Sequence, residues 1–312
     1  MGLMSALVWT AAGTAGWLEG LDGRLEIAEV PADPLADPRL AEVRVLIPPL
    51  MRNAADEAYD LKTLMERAKG LEYVQALSAG VDNIVNAVPR GVLLCSVRGA
   101  YDELMAELLL TGILTRYKEI PHYVRAQDES SWAPREVRVV QGKTVLYVGY
   151  GSISQCLERY LEPFQVRTLK VARTRRADIE SLDALPELLP QADIVVVLTP
   201  LTPETRGLVN EEFLSRMRPG ALLVNGARGA CVDTGALLAA TRERGIQAFL
   251  DVTDPEPLPA DHPLWSAPGV FITPHIGSLV ADNRERCFQV VRENLETWVN
   301  GGAPKNRVEH GY

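Results

Sequence analysis

The sequence predicts an α/β protein of two domains, each with a parallel sheet covered by helices. Three observations lead to this fold class. The chain has 312 residues, about twice the length of an ordinary domain. Short β-rich runs alternate with helical stretches almost from end to end, which is the pattern of parallel sheets. The runs also form two successive series, with a long helical stretch between them.

The first series predicts five strands and one helix. The helix is expected over residues 54–68 and closed by Gly70, because glycine is the usual residue just past a helix end. The strands are expected over residues 6–10, 25–30, 43–47, 71–77 and 92–96.

The second series predicts six strands, which is typical of a dinucleotide-binding sheet and of Rossmann and flavodoxin-like folds. They are expected over residues 144–148, 166–171, 194–198, 221–224, 248–252 and 270–273. Helical patterns at 102–120 and 281–298 lead into this series and back out of it. We therefore predict a discontinuous first domain, residues 1–97 and 280–312, with a cofactor domain inserted at 98–279. Residues 121–141 are polar and expected to be irregular.

Composition excludes several classes of protein. Hydrophobic residues make up 47% and charged residues 23%, so neither a disordered chain nor a fibrous repeat fits. The net charge of -9 repels phosphate backbones and anionic lipids, so we expect neither nucleic acid nor a membrane as partner.

No apolar run approaches the ~18 residues of a membrane span, and the N-terminus lacks the layout of a secretory signal. We expect a soluble cytoplasmic protein. The four cysteines have no metal-ligand spacing and are expected to be reduced, packed thiols, with no metal bound.

A glycine-rich turn follows the first strand of the second series. It contains Gly149 and Gly151 and reads G-x-G-x-x-S, with Ser154 where a third glycine is usual. Gly149 allows a tight turn and Gly151 lets backbone approach a pyrophosphate, while the following helix points its N–H groups at that anion. An ordinary turn is the alternative. The strand before the turn and the helix after it favour the phosphate-binding interpretation.

The tip of the next strand predicts the coenzyme. A NAD site usually has an acid about 20 residues past the glycine turn, whereas a NADP site has arginine there. Here Arg173, Thr174, Arg175 and Arg176 follow the strand, and the next acid is Asp178. Guanidinium groups suit a phosphate monoester, so NADP (as NADPH) is the predicted cofactor and NAD remains possible. The alternative is a solvated basic loop.

Four further motifs carry a family resemblance. They are LTPETRG at 201–207, VNGARGACVD at 224–233, LDVTDPEP at 250–257 and TPHIGS at 273–278. In this order and spacing they resemble the D-isomer-specific 2-hydroxyacid dehydrogenases. The resemblance is strong over residues 142–278 and weaker at 77–82 and 98–107. Residues 1–70 match only in length and strand pattern.

The resemblance implies a catalytic triad of Arg228, Glu256 and His275, and reversible reduction of a 2-oxo acid to a D-2-hydroxy acid. The chemistry supports these roles independently. Each residue follows a strand, at the carboxyl edge where parallel sheets bind ligands. A forked guanidinium suits the substrate carboxylate and carbonyl. An imidazolium titrates in the working pH range and can supply a proton, and a neighbouring carboxylate favours that form. Taken singly, the three could be a surface base, a loop acid and a structural histidine.

Further contacts are implied by the same resemblance. The substrate carboxylate would be held by Arg228 and by a loop at a cleft between the domains, made of Ser78, Ala79 and Gly80. Leu50, Met51 and Arg52 are expected near the pocket and hint at a substrate larger than glyoxylate. The cofactor would be bound by Gly149, Gly151, Ser152, Ile153, Arg173, Thr174, Arg175, Thr199, Pro200, Ala227, Asp251, His275 and Gly277.

Cys231 and Asp233 are expected to be structural, the latter as N-cap of a helix over 234–244. The family also implies a homodimer, to which residues 102–141 could contribute.

Two other functions keep the same triad. One is a non-catalytic NAD(P)-sensing regulator of the same fold, and the absence of a long tail favours an enzyme over it. The other is a phosphite-type dehydrogenase. Formate dehydrogenases pair the histidine with glutamine, so Glu256 argues against that activity.

Overall fold

The computed structural model describes residues 5–49 and 60–308 of the chain. Contacts divide the chain into two compact units. Unit 1 comprises Met1–Tyr101 and Val280–Tyr312, and unit 2 comprises Asp102–Leu279. Residues 54–59 of the predicted first helix, and Leu50, Met51 and Arg52, lie outside the described residues.

Unit 1 is built on a five-stranded sheet in the order β2-β1-β3-β4-β5. Every strand pair in it is parallel. The strands are β1 (Ala6–Thr10), β2 (Leu25–Glu29), β3 (Val43–Ile47), β4 (Tyr73–Gln75) and β5 (Leu93–Cys95). All five predicted strands occur, and β4 and β5 are shorter than predicted because the chain leaves the ladder at both ends.

The first helix, α1 (Leu61–Arg67), begins at the N-cap Asp60 and ends at Ala68. The prediction that Gly70 closes it was therefore wrong. Gly70 meets another constraint instead, since a Cβ there would lie 2.6 Å from the carbonyl oxygen of Ala41. A close backbone approach requires glycine at this position, and no helix end is involved.

The C-terminal helix α8 (Asn283–Val299) belongs to unit 1 and is tied to its sheet by a buried polar network. The Asn294 amide donates to the Gln75 side-chain oxygen at 2.9 Å, and Asn294 accepts from the Lys305 backbone N–H at 2.8 Å. The Tyr73 hydroxyl donates to the same Gln75 oxygen. The chain returns from unit 2 to complete this unit.

Unit 2 has six parallel strands in the order β11-β10-β9-β8-β6-β7. They are β6 (Thr144–Val148), β7 (Arg167–Val171), β8 (Ile194–Val197), β9 (Leu222–Asn225), β10 (Gln247–Leu250) and β11 (Val270–Ile272). The strand order reverses between β6 and β8. In open α/β sheets such a switch point, at the carboxyl ends of the strands, is where ligands bind.

The helices of unit 2 in the described part of the chain are α2 (Asp102–Tyr117), α3 (Ile120–Asp128), α4 (Ser152–Leu161), α5 (Leu185–Leu188), α6 (Glu211–Arg216) and α7 (Thr234–Glu243). They cover both sides of this sheet with apolar residues, except for α3, whose Ile120 and Val124 are exposed. As predicted, Asp233 caps α7, its side chain accepting from the Ala236 N–H at 3.0 Å.

The expectation of an irregular segment over 121–141 was wrong in its first part. Glu119, with φ of 53°, ends the preceding helix in the left-handed region, and α3 then begins at Ile120. Pro121 lies in the first helical turn, where its missing N–H costs no hydrogen bond. The polar residues 121–128 are therefore helical.

Among the described residues, no helix is long and apolar enough to cross a membrane. The same residues contain no group of three or more His, Cys, Asp and Glu that could hold a metal ion.

Candidate active site

The glycine turn lies at the switch point of the unit 2 sheet. Gly149 follows β6 with φ of 96°, and a Cβ there would lie 2.7 Å from both the Leu198 carbonyl carbon and the Thr199 nitrogen at the end of β8. A side chain is excluded by backbone and by conformation alike. At Gly151 a Cβ would meet nothing within 4 Å, so the approach to the turn is open.

Helix α4 begins directly after this turn, at Ser152 and Ile153. Its N-cap is Gly151, and no side chain caps it. Its first backbone N–H groups therefore suit an incoming anion, and the positive end of the helix dipole adds to the attraction. These features fit a dinucleotide pyrophosphate.

Ser154 replaces the third glycine of the turn without loosening it. The residue is fully buried, and its hydroxyl donates to the Gly149 carbonyl at 2.6 Å. The extra side chain thus bridges the helix to the turn. Where a third glycine would let helix and strand pack closely, Ser154 links them by a hydrogen bond instead.

The predicted 2′-phosphate residues Arg173, Thr174 and Arg175 lie on an exposed loop after β7. We call residues 172–180 the arginine loop. Its base is closed by two backbone hydrogen bonds, from the Ala172 N–H to the Glu180 carbonyl and from the Glu180 N–H to the Lys170 carbonyl, both 2.9 Å.

Arg176, which was not among the predicted cofactor contacts, ties the arginine loop to the glycine turn. Its Nη2 donates to the carbonyl of Tyr150, the middle residue of G-x-G, at 3.1 Å. The two predicted phosphate-binding segments are therefore directly connected.

The segment after β8 carries the predicted contacts Thr199 and Pro200. Thr199 is buried and lies 3.9 Å, Oγ to Sγ, from Cys231. The Thr205 hydroxyl donates to the Pro200 carbonyl at 2.6 Å and so closes the following turn. Burial, as the largest influence, raises the pKa of the Cys231 thiol, which keeps it protonated and inert.

Arg228 follows β9 on a loop that Asn225 holds in shape. The Asn225 side chain accepts from the Ala227 N–H and donates to the Arg228 carbonyl, both at 3.0 Å. Asn225 is fully buried. Gly229 brings this loop against the next one, since a Cβ there would lie 1.8 Å from the Thr253 carbonyl oxygen. The loop after β9 and the loop that carries Glu256 are thus in contact.

His275 and Glu256 form a direct pair. The histidine Nδ1 lies 2.6 Å from the Glu256 Oε1, and both side chains are half-exposed, at 39% and 30%. This contact leaves Nε2 as the ring nitrogen that can exchange a proton with a ligand. A carboxylate at Nδ1 also fixes the tautomer and orientation of the ring.

Asp251 holds the backbone around His275. The carboxylate is 1% exposed and accepts from the Thr273 hydroxyl at 2.7 Å, the Ile276 N–H at 2.9 Å and the Gly277 N–H at 3.1 Å. His275 itself has φ of 53° and donates its N–H to the Asp251 carbonyl at 2.7 Å. The observed partners of Asp251 are thus groups of the 273–277 loop, while its predicted contact with the cofactor stays a prediction.

Met105, on α2, packs against two of these loops, at Gly226 after β9 and at Gly277 in the loop that carries His275. A Cβ on Gly277 would lie 2.2 Å from the Met105 Sδ, and one on Gly226 would lie 2.6 Å from its Cε. Met105, Asn225 and Gly226 were not among the site residues predicted from the sequence. For Gly226 the flanking motif was a usable signal, whereas Met105 shows its role only through contacts across the fold.

In unit 1, Ser78, Ala79 and Gly80 form a half-buried loop after β4. The Ser78 hydroxyl donates to the Gly80 carbonyl at 2.6 Å, and the Ser78 carbonyl accepts from the Val97 N–H at 3.1 Å. These hydrogen bonds hold the loop in shape, and its predicted contact with the substrate carboxylate stays a prediction.

Comparison with known proteins identifies the family. The family described as "D-isomer specific 2-hydroxyacid dehydrogenase, NAD binding domain" matches residues 110–277. The chain belongs to this family. A glyoxylate reductase of Aeropyrum pernix is 35% identical over 277 residues, which cover 81% of this chain and 83% of the relative.

Solved structures of other 2-hydroxyacid dehydrogenases share the fold. One from Aeromonas salmonicida has a TM-score of 0.83 at 29% identity, with 98% of this chain and 99% of that chain covered. Another, from Xanthobacter autotrophicus, was crystallised with NADPH and MES and has a TM-score of 0.82 at 33% identity, with 99% and 100% covered.

The predicted fold class of two parallel-sheet α/β domains is therefore confirmed, as are the family resemblance and the prediction of an enzyme. The chain is a dehydrogenase or reductase that uses a nicotinamide cofactor. As a member of the 2-hydroxyacid dehydrogenase family, it catalyses the interconversion of 2-oxo and 2-hydroxy acids.

Proposed function

We propose that this 2-hydroxyacid dehydrogenase reduces a 2-oxo acid to the D-2-hydroxy acid with NADPH, reversibly. The observation that carries the proposal is the contact of the His275 Nδ1 with the Glu256 Oε1 at 2.6 Å. It provides a proton donor of fixed orientation on the carboxyl edge of a nicotinamide-binding sheet.

The proton step belongs to His275. When bound, the reduced nicotinamide supplies a hydride to C2 of the 2-oxo acid. The carbonyl oxygen then carries developing negative charge, and the His275 Nε2 delivers a proton to it. Glu256 stabilises the imidazolium before transfer and holds the ring in position throughout. The ring is left neutral, and the reverse reaction starts from that state.

Substrate binding is proposed for Arg228 together with the Ser78, Ala79 and Gly80 loop. A planar guanidinium can pair with the substrate carboxylate and polarise the adjacent carbonyl. Backbone N–H groups of the loop would bind the same carboxylate. The Arg228 backbone is held by the buried Asn225, which supports a fixed approach of the guanidinium to the substrate.

Cofactor binding is proposed for the glycine turn, the N-terminus of α4, the arginine loop and the segments around Thr199, Ala227 and Gly277. The exposed arginines after β7 support a preference for NADPH over NADH, since they suit a 2′-phosphate. NADPH in the crystal of the Xanthobacter relative is consistent with this preference.

Steady-state reduction of a panel of 2-oxo acids tests the reaction and its coenzyme. The panel should include glyoxylate, since several relatives are glyoxylate reductases, along with larger 2-oxo acids. We expect oxidation of NADPH to exceed that of NADH in kcat/KM. Arg173→Asp should lower the ratio of kcat/KM with NADPH to kcat/KM with NADH by about 10- to 100-fold, because charge-assisted hydrogen bonds are worth ~1.5–3 kcal/mol each. No turnover of any 2-oxo acid would contradict the proposed reaction.

The role of His275 has its own test. His275→Ala should lose about 10² to 10⁴ in kcat and still bind NADPH, since general acid catalysis contributes that much and cofactor binding does not need the proton. Near-normal turnover in this variant would remove His275 from the mechanism.

We also propose that the protein is a homodimer and works in the cytoplasm. Apolar side chains on residues 120–139 support dimerisation, with Trp132 95% and Val139 55% exposed. The four cysteines are buried and unpaired, which suits a reducing compartment. Light scattering on the wild type and on Trp132→Glu tests the dimer, and a wild-type monomer would refute it.

A further inference from the structure

Lys170, at the end of β7, is enclosed by partners beside the arginine loop. Its ammonium lies 3.0 Å from the Asp178 Oδ2 and 3.1 Å from the Glu158 Oε1, and it sits 4.6 Å from the centre of the Tyr150 ring. The Tyr150 hydroxyl donates to Glu158 as well. One lysine therefore joins a strand, a helix, the glycine turn and the arginine loop.

The enclosure makes Lys170 a poor candidate for direct contact with the cofactor. Its side chain is only 15% exposed, and two carboxylates and an aromatic ring face its ammonium. Burial works against its charge, but the hydrogen bonds to Asp178, Glu158 and Tyr150 outweigh it and raise the pKa of the ammonium. Lys170 is therefore a permanent cation that acts through its partners.

Its main exposed partner is Asp178, the acid nearest after the strand tip. The Asp178 side chain is 71% exposed and lies on the loop that carries Arg173 and Arg175. The other acid of the loop, Glu180, is paired with Arg175 at 3.1 Å. Both acids of the loop are thus neutralised by cations. Without Lys170, Asp178 would place a negative charge on the surface that is proposed to receive a 2′-phosphate.

We infer that Lys170 is a specificity-determining residue for the coenzyme, because it masks Asp178 and so keeps the arginine loop favourable for the 2′-phosphate of NADPH. The inference rests on the proposed NADPH preference and adds a residue outside the arginine cluster to it. An unmasked Asp178 would repel a phosphate monoester and could accept hydrogen bonds from the ribose hydroxyls of NADH. The selectivity of the loop therefore depends on an ion pair whose cation, Lys170, is enclosed by protein groups.

Calorimetric binding of adenosine 2′,5′-bisphosphate and of 5′-AMP measures this selectivity without any reaction. In Lys170→Met we expect the preference for the bisphosphate to fall about three- to ten-fold, since a partly exposed charge interaction is modest. The NADPH to NADH ratio of kcat/KM should fall by a similar factor. In Lys170→Met combined with Asp178→Asn, most of the preference should return, because the released charge is gone.

Two controls separate masking from damage to the fold. Asp178→Asn alone has an exposed side chain and should keep at least the wild-type preference. Arg216→Met is the second control, because it removes a cation of unit 2 that is paired far from the arginine loop in the sequence: Arg216 lies 3.0 Å from Glu212 on α6. This variant should leave the preference for the bisphosphate unchanged. Circular dichroism checks that each variant is folded, and Lys170→Arg should retain both the ion pair and the preference.

Several outcomes would overturn the inference. They are an unchanged preference in Lys170→Met, a double variant no better than Lys170→Met, or a loss of preference in Asp178→Asn alone. If the wild type binds the bisphosphate no more tightly than 5′-AMP, the NADPH preference and this inference fail together. If the wild type binds it selectively but reduces no 2-oxo acid, the proposed reaction fails and the role of Lys170 stands.

Discussion

Replacing Gly277 by alanine should disable the His275 loop without touching a catalytic group. Gly277 is buried, and an added Cβ would lie 2.2 Å from the Met105 Sδ and 3.1 Å from the Asp251 Oδ2. Met105 is itself buried, at 8% exposed, and its Cε packs over Gly226, which limits where the side chain can move. The loop and the Met105 side chain must therefore move apart by more than ~1 Å in total to reach an ordinary van der Waals separation of ~3.5–4 Å.

The cost follows from the bonds that the shift strains. The N–H groups of Ile276 and Gly277 donate to the Asp251 carboxylate, and hydrogen bonds to a charged group are worth ~1.5–3 kcal/mol each. Partial loss of both predicts about 2–4 kcal/mol of destabilisation of unit 2, or a fall in Tm of roughly 5–15 °C. A misplacement of ~1 Å at His275 predicts about 10²-fold lower kcat.

Steady-state kinetics with NADPH and a 2-oxo acid, together with thermal unfolding, measure both effects. Gly23→Ala is a matched control, because a Cβ there would meet nothing within 4 Å. Met105→Ala removes the clashing sulfur, so Gly277→Ala should cost less activity in that background than in the wild type. If Gly277→Ala retains wild-type kcat and Tm, the packing of Met105 does not position the His275 loop.

Three further predictions concern other parts of the chain. Glu256→Ala should lower kcat about as much as loss of the general acid does. Glu256→Gln should lower kcat less, because its side-chain oxygen can still accept a hydrogen bond from the ring. Equal losses of kcat in the two variants would contradict a positioning role for Glu256. Asn294→Ala should destabilise unit 1 by about 1–3 kcal/mol, because Gln75 loses a buried donor, and urea unfolding followed by circular dichroism would show no shift if the network were unimportant. Burial raises the pKa of the Cys95 and Cys287 thiols to about 11, so both should react slowly with a disulfide reagent until the protein unfolds, and rapid labelling of either in the native protein would refute this.

Much of the fold was predictable because its signals are local. Alternating β-rich and helical stretches located all eleven strands of the described residues within a few positions, and the glycine turn marked the carboxyl end of β6. Two local predictions were wrong. The polar segment after residue 120 was expected to be irregular, yet it begins with the helix α3, and Gly70 permits a close backbone approach where a helix cap was expected. Nothing in the neighbouring sequence separates these alternatives.

The sequence by itself determined which chemical groups are available: a histidine and a glutamate after neighbouring strands, an arginine cluster at the strand tip, and motifs of a known family. The tertiary structure alone decided how those groups are held. The Nδ1 contact of His275, the support of Met105 beneath Gly277 and the masking of Asp178 by Lys170 all join different segments of the chain. Local patterns report the periodicity of a segment, whereas these contacts depend on which strand edges and helix faces the folded sheet brings together.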